Sequence, residues 1–541
     1  VGSSPEWCTN WRPLPPMLHV SRILRQANRI QDAELAEIEF LQTIERRIQS
    51  RDSDDIKSIS NLYECRGDIL REVGRYQEAI EAYKESLDTG QNPERCEDWS
   101  PRSALWEIHK CHVALKEYEL ALKVIAEYLK SAEEDKDRRA IAIAYKIRGD
   151  ILRKAESYQE AIASYKESLD AGQNPKRCED WSPRSALYEM QRCHVALKEY
   201  KLALGVLDDY LKSAEEDNDR RAIAIAYEIR GDVLREDERH PDALEAYKES
   251  LNKGRNPDRC EDWSPLPALY EMHTCYVALK EYEQALKVID EYLKSAEEDK
   301  DRGDIARAHE YRGDVLREEE RYPEAIAAYK ESLDAGQNPE RCEDWSPRSA
   351  LWEIHKCHVA LKEYELALKV IAEYLKSAEE DKDRRAIAIA YKIRGDILRK
   401  AESYQEAITA YKESLDAGQN PERCEDWSPR SALYEMQRCH VALKEYELAH
   451  GVIDDYLKSA EEDKERRAIA FAYEIRGDVL REAERYQEAI EAYKESLNKG
   501  LNPEQCKNWS PRSALWEIHT CHVALKEYEQ ALKVIDKYLK S

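Results

Sequence analysis

Residues 139–172 read RAIAIAYKIRGDILRKAESYQEAIASYKESLDAG, and the spacing of apolar side chains in this stretch decides the fold. Ile141, Ala144, Tyr145, Ile147, Ile151 and Leu152 recur at intervals of three and four, covering two faces of a helix buried on more than one side. After the polar turn at Glu156-Ser157, Tyr158, Ala161, Ile162, Tyr165 and Leu169 form a second helical stripe, broken by Gly172 and Asn174-Pro175. Two antiparallel helices are expected. Trp181-Ser182-Pro183 then supplies a serine N-cap with proline at the first helical position, opening a third helix through Leu187 and Val195. A fourth runs from about Tyr200 to Ala214 and stops at the acidic turn Glu215-Glu216-Asp217-Asn218-Asp219. No segment sustains strand-like alternation, so the class is all-α.

This unit is copied along the chain. Arg-Gly-Asp followed by Ile/Val-Leu-Arg has its glycine at Gly67, Gly149, Gly231, Gly313, Gly395 and Gly477, always 82 residues apart. Trp-Ser-Pro keeps the same interval at Trp99, Trp181, Trp263, Trp345, Trp427 and Trp509. Leu105 to Ile162 recurs letter for letter as Leu351 to Ile408, 246 residues on, so three units were duplicated as a block and invariance among copies is read as inheritance. Upstream, Cys8-Thr9-Asn10-Trp11 echoes Cys96-Glu97-Asp98-Trp99, and Ala33 and Phe40 echo Ala121 and Tyr128. Residues 1–60 are therefore expected to hold a diverged half-unit and its connection, and 61–541 six tandem units, giving one continuous solenoid of about 13 hairpins. The last stretch, Tyr528 to Ser541, lacks an obvious polar capping helix, so either a parent protein continues or that end meets something.

Charged residues reach 36% and hydrophobic ones 42%, which suits thin units with a narrow core and much surface. A formal charge of −26 argues against nucleic-acid phosphates and anionic membranes and favours protein or peptide partners that are basic or neutral overall. No apolar run reaches the roughly 18 residues that a spanning helix needs, and no signal-peptide pattern opens the chain, so it reads as soluble as given. It begins with Val1 rather than Met, which suits a processed or excised segment.

Four motifs could carry chemistry. Arg-Gly-Asp suggests an adhesion ligand, but it falls mid-helix, where its glycine serves close helix approach. His109, Cys111, His112 and Cys96 suggest zinc, yet Gln191 and Gln437 replace the first histidine and Tyr276 the second, so no metal is expected. Of the 14 cysteines, 12 form pairs spaced alike: Cys96/Cys111, Cys178/Cys193, Cys260/Cys275, Cys342/Cys357, Cys424/Cys439 and Cys506/Cys521. A disulfide per unit is geometrically feasible, but Ile23 stands opposite Cys8 and Cys65 where Ile147 does, as an apolar requirement would allow. Buried reduced thiols are expected and favour an intracellular, cytoplasmic setting; disulfides would place the chain outside the cell. A lone sequon at Asn508-Trp509-Ser510 occurs in the last copy alone. The sequence has no Gly-rich phosphate loop, nucleophile elbow or His-Glu-x-x-His, so neither an enzyme nor a cofactor is expected.

The unit resembles the tetratricopeptide repeat. Tyr145, Gly149, Tyr158 and Ala161 stand at the spacings of that family's small and aromatic packing residues. In the second hairpin Tyr200 and Ala203 match, while Gln191 stands where a small residue is usual and the connection Ala171 to Ser182 is long. The resemblance implies a superhelical α-solenoid whose first helices line a concave groove. That places Trp106, Lys110, Lys146, Asp150 and Arg153 in the groove, with the equivalents Tyr188, Arg192, Tyr270, Trp352, Lys356, Tyr434, Arg438 and Trp516. Aromatic and cationic side chains in a ladder suit an extended peptide, although repeated aromatics also serve as packing between hairpins. The expected function is a non-catalytic binding scaffold, of a kind that can form the recognition part of a larger protein. The rival is a rod or filament that self-associates through the solenoid ends.

Overall fold

A computed structural model describes residues 30–49, 56–90, 100–173, 178, 181–255, 260, 262–337, 342, 345–419, 424, 427–500 and 510–540. Every regular element among them is an α-helix, 25 in all. They form two compact bodies, Val1–Cys275 and Tyr276–Ser541. Within each unit the helices are numbered in order; in the second unit these are α1 (Arg138–Lys154), α2 (Tyr158–Gln173), α3 (Arg184–Ala196) and α4 (Tyr200–Glu216). Cys8, Asn10, Trp11, Ile23, Cys96, Trp99, Cys506, Asn508 and Trp509 lie outside the described residues.

The α1–α2 hairpin is set by one contact. A Cβ on Gly149 would lie 2.5 Å from the Tyr165 ring, so the glycine is the space the ring occupies. Tyr165 is fully buried, and its hydroxyl donates to Asp150 at 2.9 Å. Gly and Asp of the Arg-Gly-Asp triplet thus hold the two ends of one tyrosine. Asp68, Asp232, Asp314, Asp396 and Asp478 accept from Tyr83, Tyr247, Tyr329, Tyr411 and Tyr493 in the same way.

A second glycine contact explains Trp-Ser-Pro. The Trp181 ring covers the end of α2 at Gly172, where a Cβ would come within 2.4 Å of it. Gly254, Gly336 and Gly418 receive Trp263, Trp345 and Trp427 alike. Trp181 is thereby seated on the hairpin that precedes it. Ser182 Oγ accepts from the Arg184 N–H at 3.4 Å, as an N-cap should, and in the fourth unit Ser346 caps a helix that starts at Pro347.

The tight turns share one form. After α3 of the first unit (Arg102–Ala114), Glu117 N–H donates to His112 O and Lys116 N–H to Val113 O, the paired bonds of a Schellman end, with Lys116 left-handed at φ 60°. Glu156, Lys198 and Asn218 adopt the same conformation without being glycine, whereas Gly74 does so in the first unit. Salt bridges then clamp successive hairpins: Arg184 Nη1 lies 2.7 Å from Asp219, and Arg348 Nη1 2.7 Å from Asp383. At the amino end, helix Ile30–Gln49 packs Ile44 against Leu62, Cys65 and Ile69 of helix Ile56–Glu72.

Gly149→Ala should therefore destabilise by about 1–3 kcal/mol, the usual range for overpacking, read as an earlier urea midpoint. An unchanged midpoint would show that the ring yields without cost. Excising Gly149 to Arg230, one unit in phase, should leave a helical and cooperatively melting protein, whereas removing about 41 residues should not, because like hairpins would then meet. Circular dichroism melts of both deletions decide it.

Candidate functional site

Helix α3 turns Ala186, Leu187, Met190 and Cys193 into the core, and helical periodicity puts Tyr188 and Arg192 on the other side, one turn apart. Tyr188 is 37% exposed, and the Arg192 guanidinium stands 5.7 Å from its ring centre. Trp106 is half-buried, edge-on to His109 at 5.1 Å and tilted against Tyr128 at 6.0 Å, while Lys110 Nζ lies 5.4 Å from the indole centre. Trp352 repeats this against His355 and Tyr374. Tyr270 sits 5.0 Å from His273, Tyr434 lies 5.6 Å from Phe471 with Arg438 above it, and Trp516, 48% exposed, leans on Tyr538. Each ring therefore packs along one edge and offers the other to solvent.

The charged members of the expected site are already engaged. Lys146 Nζ is 2.7 Å from Asp150, which also accepts the Tyr165 hydroxyl. Arg153 Nε lies 2.8 Å from Glu189, tying α1 to α3, and Arg192 approaches the same carboxylate at 3.3 Å. Lys110 and Lys356 pair with Glu107 and Glu353. Asp150 and Arg153 hold the hairpins together, while Lys110, Arg192 and the rings keep exposed edges. The hub missed from sequence is the glutamate, at Glu107, Glu189, Glu271, Glu353, Glu435 and Glu517. Its signal was a carboxylate one residue past every ladder aromatic. In the first body a pocket of about 400 Å³ opens beside Trp106, bounded by Arg102, Ser103, Tyr128, Arg139 and Ile143.

Tetratricopeptide repeat models match residues 110–174, 276–338 and 356–420, and a second model of the same description matches 67–97. Tetratricopeptide repeats thus recur along the chain. Among solved structures it is similar to the one described as "TPR2AB-domain:pHSP90-complex of yeast Sti1", with 19% identity over 51% of this chain and 99% of that one, at a TM-score of 0.21.

In these tetratricopeptide repeats the histidines and cysteines are packing groups. His109 is buried, and burial lowers its pKa to about 4; burial raises the Cys111, Cys193, Cys275, Cys357, Cys439 and Cys521 thiols to about 11. Such thiols are poor nucleophiles. Both members of Cys178/Cys193, Cys260/Cys275, Cys342/Cys357 and Cys424/Cys439 are thiols outside any disulfide. No group of His, Cys, Asp and Glu among the described residues is arranged to hold a metal, and no described helix is long and apolar enough to cross a membrane.

Among the α1 differences between repeats, one lies beside the Asp of the Arg-Gly-Asp triplet. Lys146 and Lys392 have glutamates as counterparts: Glu64, Glu228, Glu310 and Glu474. In the third unit burial, then Asp232, then Glu271 push Glu228 up to about 7. Burial likewise raises Asp232 to about 6 despite the hydroxyl it accepts from Tyr247. A carboxyl whose pKa is raised by folding stabilises the fold fully below its unfolded value and loses that contribution as pH rises through the folded value. Glu228→Gln should therefore raise the thermal midpoint at pH 8 and leave it nearly unchanged at pH 4. The same gain at both pH values would show that packing rather than charge controls the position.

Proposed function

We propose that the protein is a non-catalytic interaction scaffold that holds an extended peptide or a partner protein along the face formed by α1 and α3. The observation that carries this reading is the row of half-open aromatic rings at Trp106, Tyr188, Tyr270, Trp352, Tyr434 and Trp516, with cations over four of the six positions in sequence. A ring fixed along one edge loses little entropy when its open edge is covered, so it serves as a ready anchor. Lys110 and Arg192 stay exposed beside their glutamates, and a partner carboxylate can share them through charge-assisted hydrogen bonds. The net charge of −26 around this row favours a partner that is basic or neutral overall.

Replacing Trp106, Trp352 and Trp516 by Ala should weaken partner binding by roughly 2 kcal/mol for each ring that anchors it, with helicity largely kept. Trp516, the most exposed of the three, should cost least in stability. Lys110→Glu with Lys356→Glu should weaken a carboxylate-bearing partner and flatten its salt dependence. Partner captured by the full chain, followed by titration calorimetry, measures both. Binding unchanged by all five substitutions would place recognition elsewhere, and a scattering mass that grows with concentration would point to self-association instead.

A further inference from the structure

The lysine-to-glutamate exchange in α1 leaves a cation missing from a place built to receive one. In the second and fifth units that place is filled from within: Lys146 Nζ lies 2.7 Å from Asp150, and Lys392 Nζ 2.7 Å from Asp396. In the third unit Glu228, Asp232 and Glu271 converge, and the guanidinium paired with them is Arg235, 2.8 Å from Glu271. The sixth unit repeats this with Glu474, Asp478 and Glu517 beside Arg481.

Other glutamate-bearing units supply internal donors. Ser103 Oγ donates to Glu64 at 2.9 Å, and Glu310 receives Trp345 Nε1 at 2.9 Å and Ser349 Oγ at 3.0 Å. In the third unit Pro267 stands where Ser349 does, and this donor is gone. Ser250 and Ser496 are fully buried, and their Oγ atoms have no hydrogen-bond partner among the described residues. They occupy the positions from which Ser86 and Ser332 reach Glu64 and Glu310. The usual ladder cation is also absent, because Thr274 and Thr520 replace Lys110 and Arg192, beside the exposed rings of Tyr270 and Trp516.

We propose that the third and sixth units each bind a lysine side chain of a partner polypeptide, its ammonium taking against Asp232 and Asp478 the place that Lys146 and Lys392 fill elsewhere. The inference rests on the α1–α3 face being the binding face and names the chemistry it selects. An ammonium there would neutralise the carboxylates and take up the serine hydroxyl's unused acceptor capacity, and the adjacent ring would face its methylenes. The high pKa of Glu228 is the electrostatic sign of the missing charge, and no metal-holding group exists among the described residues to supply it otherwise.

The test is calorimetric titration of the full chain with a short blocked peptide of alternating lysine and glycine, and with its Nε-acetyl-lysine counterpart. Two lysine peptides should bind per chain, and acetylation should weaken them roughly tenfold or more, the effect of about 1.4 kcal/mol. Glu228→Lys and Glu474→Lys should each remove one site, and together both. Glu228→Lys recreates residues 138–150 letter for letter, so the variant helix is one the protein already folds. Binding that survives the double variant within twofold, or ignores acetylation, overturns the proposal and shows only general attraction to an acidic chain. The natural partner tells the two readings apart: if it is lost on removing the ladder tryptophans but kept in the double variant, the binding face stands and the lysine sites do not.

Discussion

A tyrosine ring set against a glycine of the preceding helix fixes the geometry of every unit. At Gly149 the Tyr165 ring lies where a Cβ would be, and the equivalent pairs run from Gly67 with Tyr83 to Gly477 with Tyr493. The close approach is affordable because the ring's one polar atom is satisfied within the same triplet, by Asp150 in the second unit and its equivalents elsewhere. Burial of a large ring then proceeds without leaving a hydroxyl unpaired in the core. The second contact, tryptophan against the glycine that ends α2, seats the residue just before α3 on the preceding hairpin. The spacing of α1 and α2 and the seating of Trp181 follow from these two rings.

The polar residues around the tyrosine have a structural duty before any functional one. Arg153 joins α1 to α3 through Glu189, and Lys146 is bound to Asp150. Part-buried pairs of this kind hold a geometry at the cost of desolvating the charges, so they are not available to a ligand without replacement of what they already bind. In the proposed function, recognition falls to groups at the rim of the network: the open ring edges, the exposed Lys110 and Arg192, and the units where the internal cation is missing.

Duplication makes that last difference informative. All six copies share the glycine–tyrosine contact, so the exchange of lysine for glutamate four residues before Asp150 and its equivalents is read against one constant packing feature. Lysine there closes the network internally, and glutamate with serine or tryptophan donors closes it by hydrogen bonds. Glutamate with Pro267 and an unpartnered Ser250 leaves it open. The lysine state recurs at Lys392, and the unpartnered serine recurs at Ser496, because the three-unit block was itself copied, although Ser513 stands where Pro267 does.

The helices, their boundaries within a few residues, the all-α class and the 82-residue repeat were legible in the sequence, because hydrophobic periodicity and turn chemistry are local properties. Mid-helix placement of Arg-Gly-Asp was legible for the same reason. Tertiary structure alone decided what the triplet does, since Asp150 and Tyr165 are partners across a hairpin. It alone assigned Trp181 to Gly172 and made Glu189 the hub, and it showed that Asp150 and Arg153, expected in a groove, are held by their own neighbours. Sequence marks which residues share a helix face, but whether a charge on that face is free depends on the helix packed beside it. That neighbour is chosen by the approach distance the glycines permit.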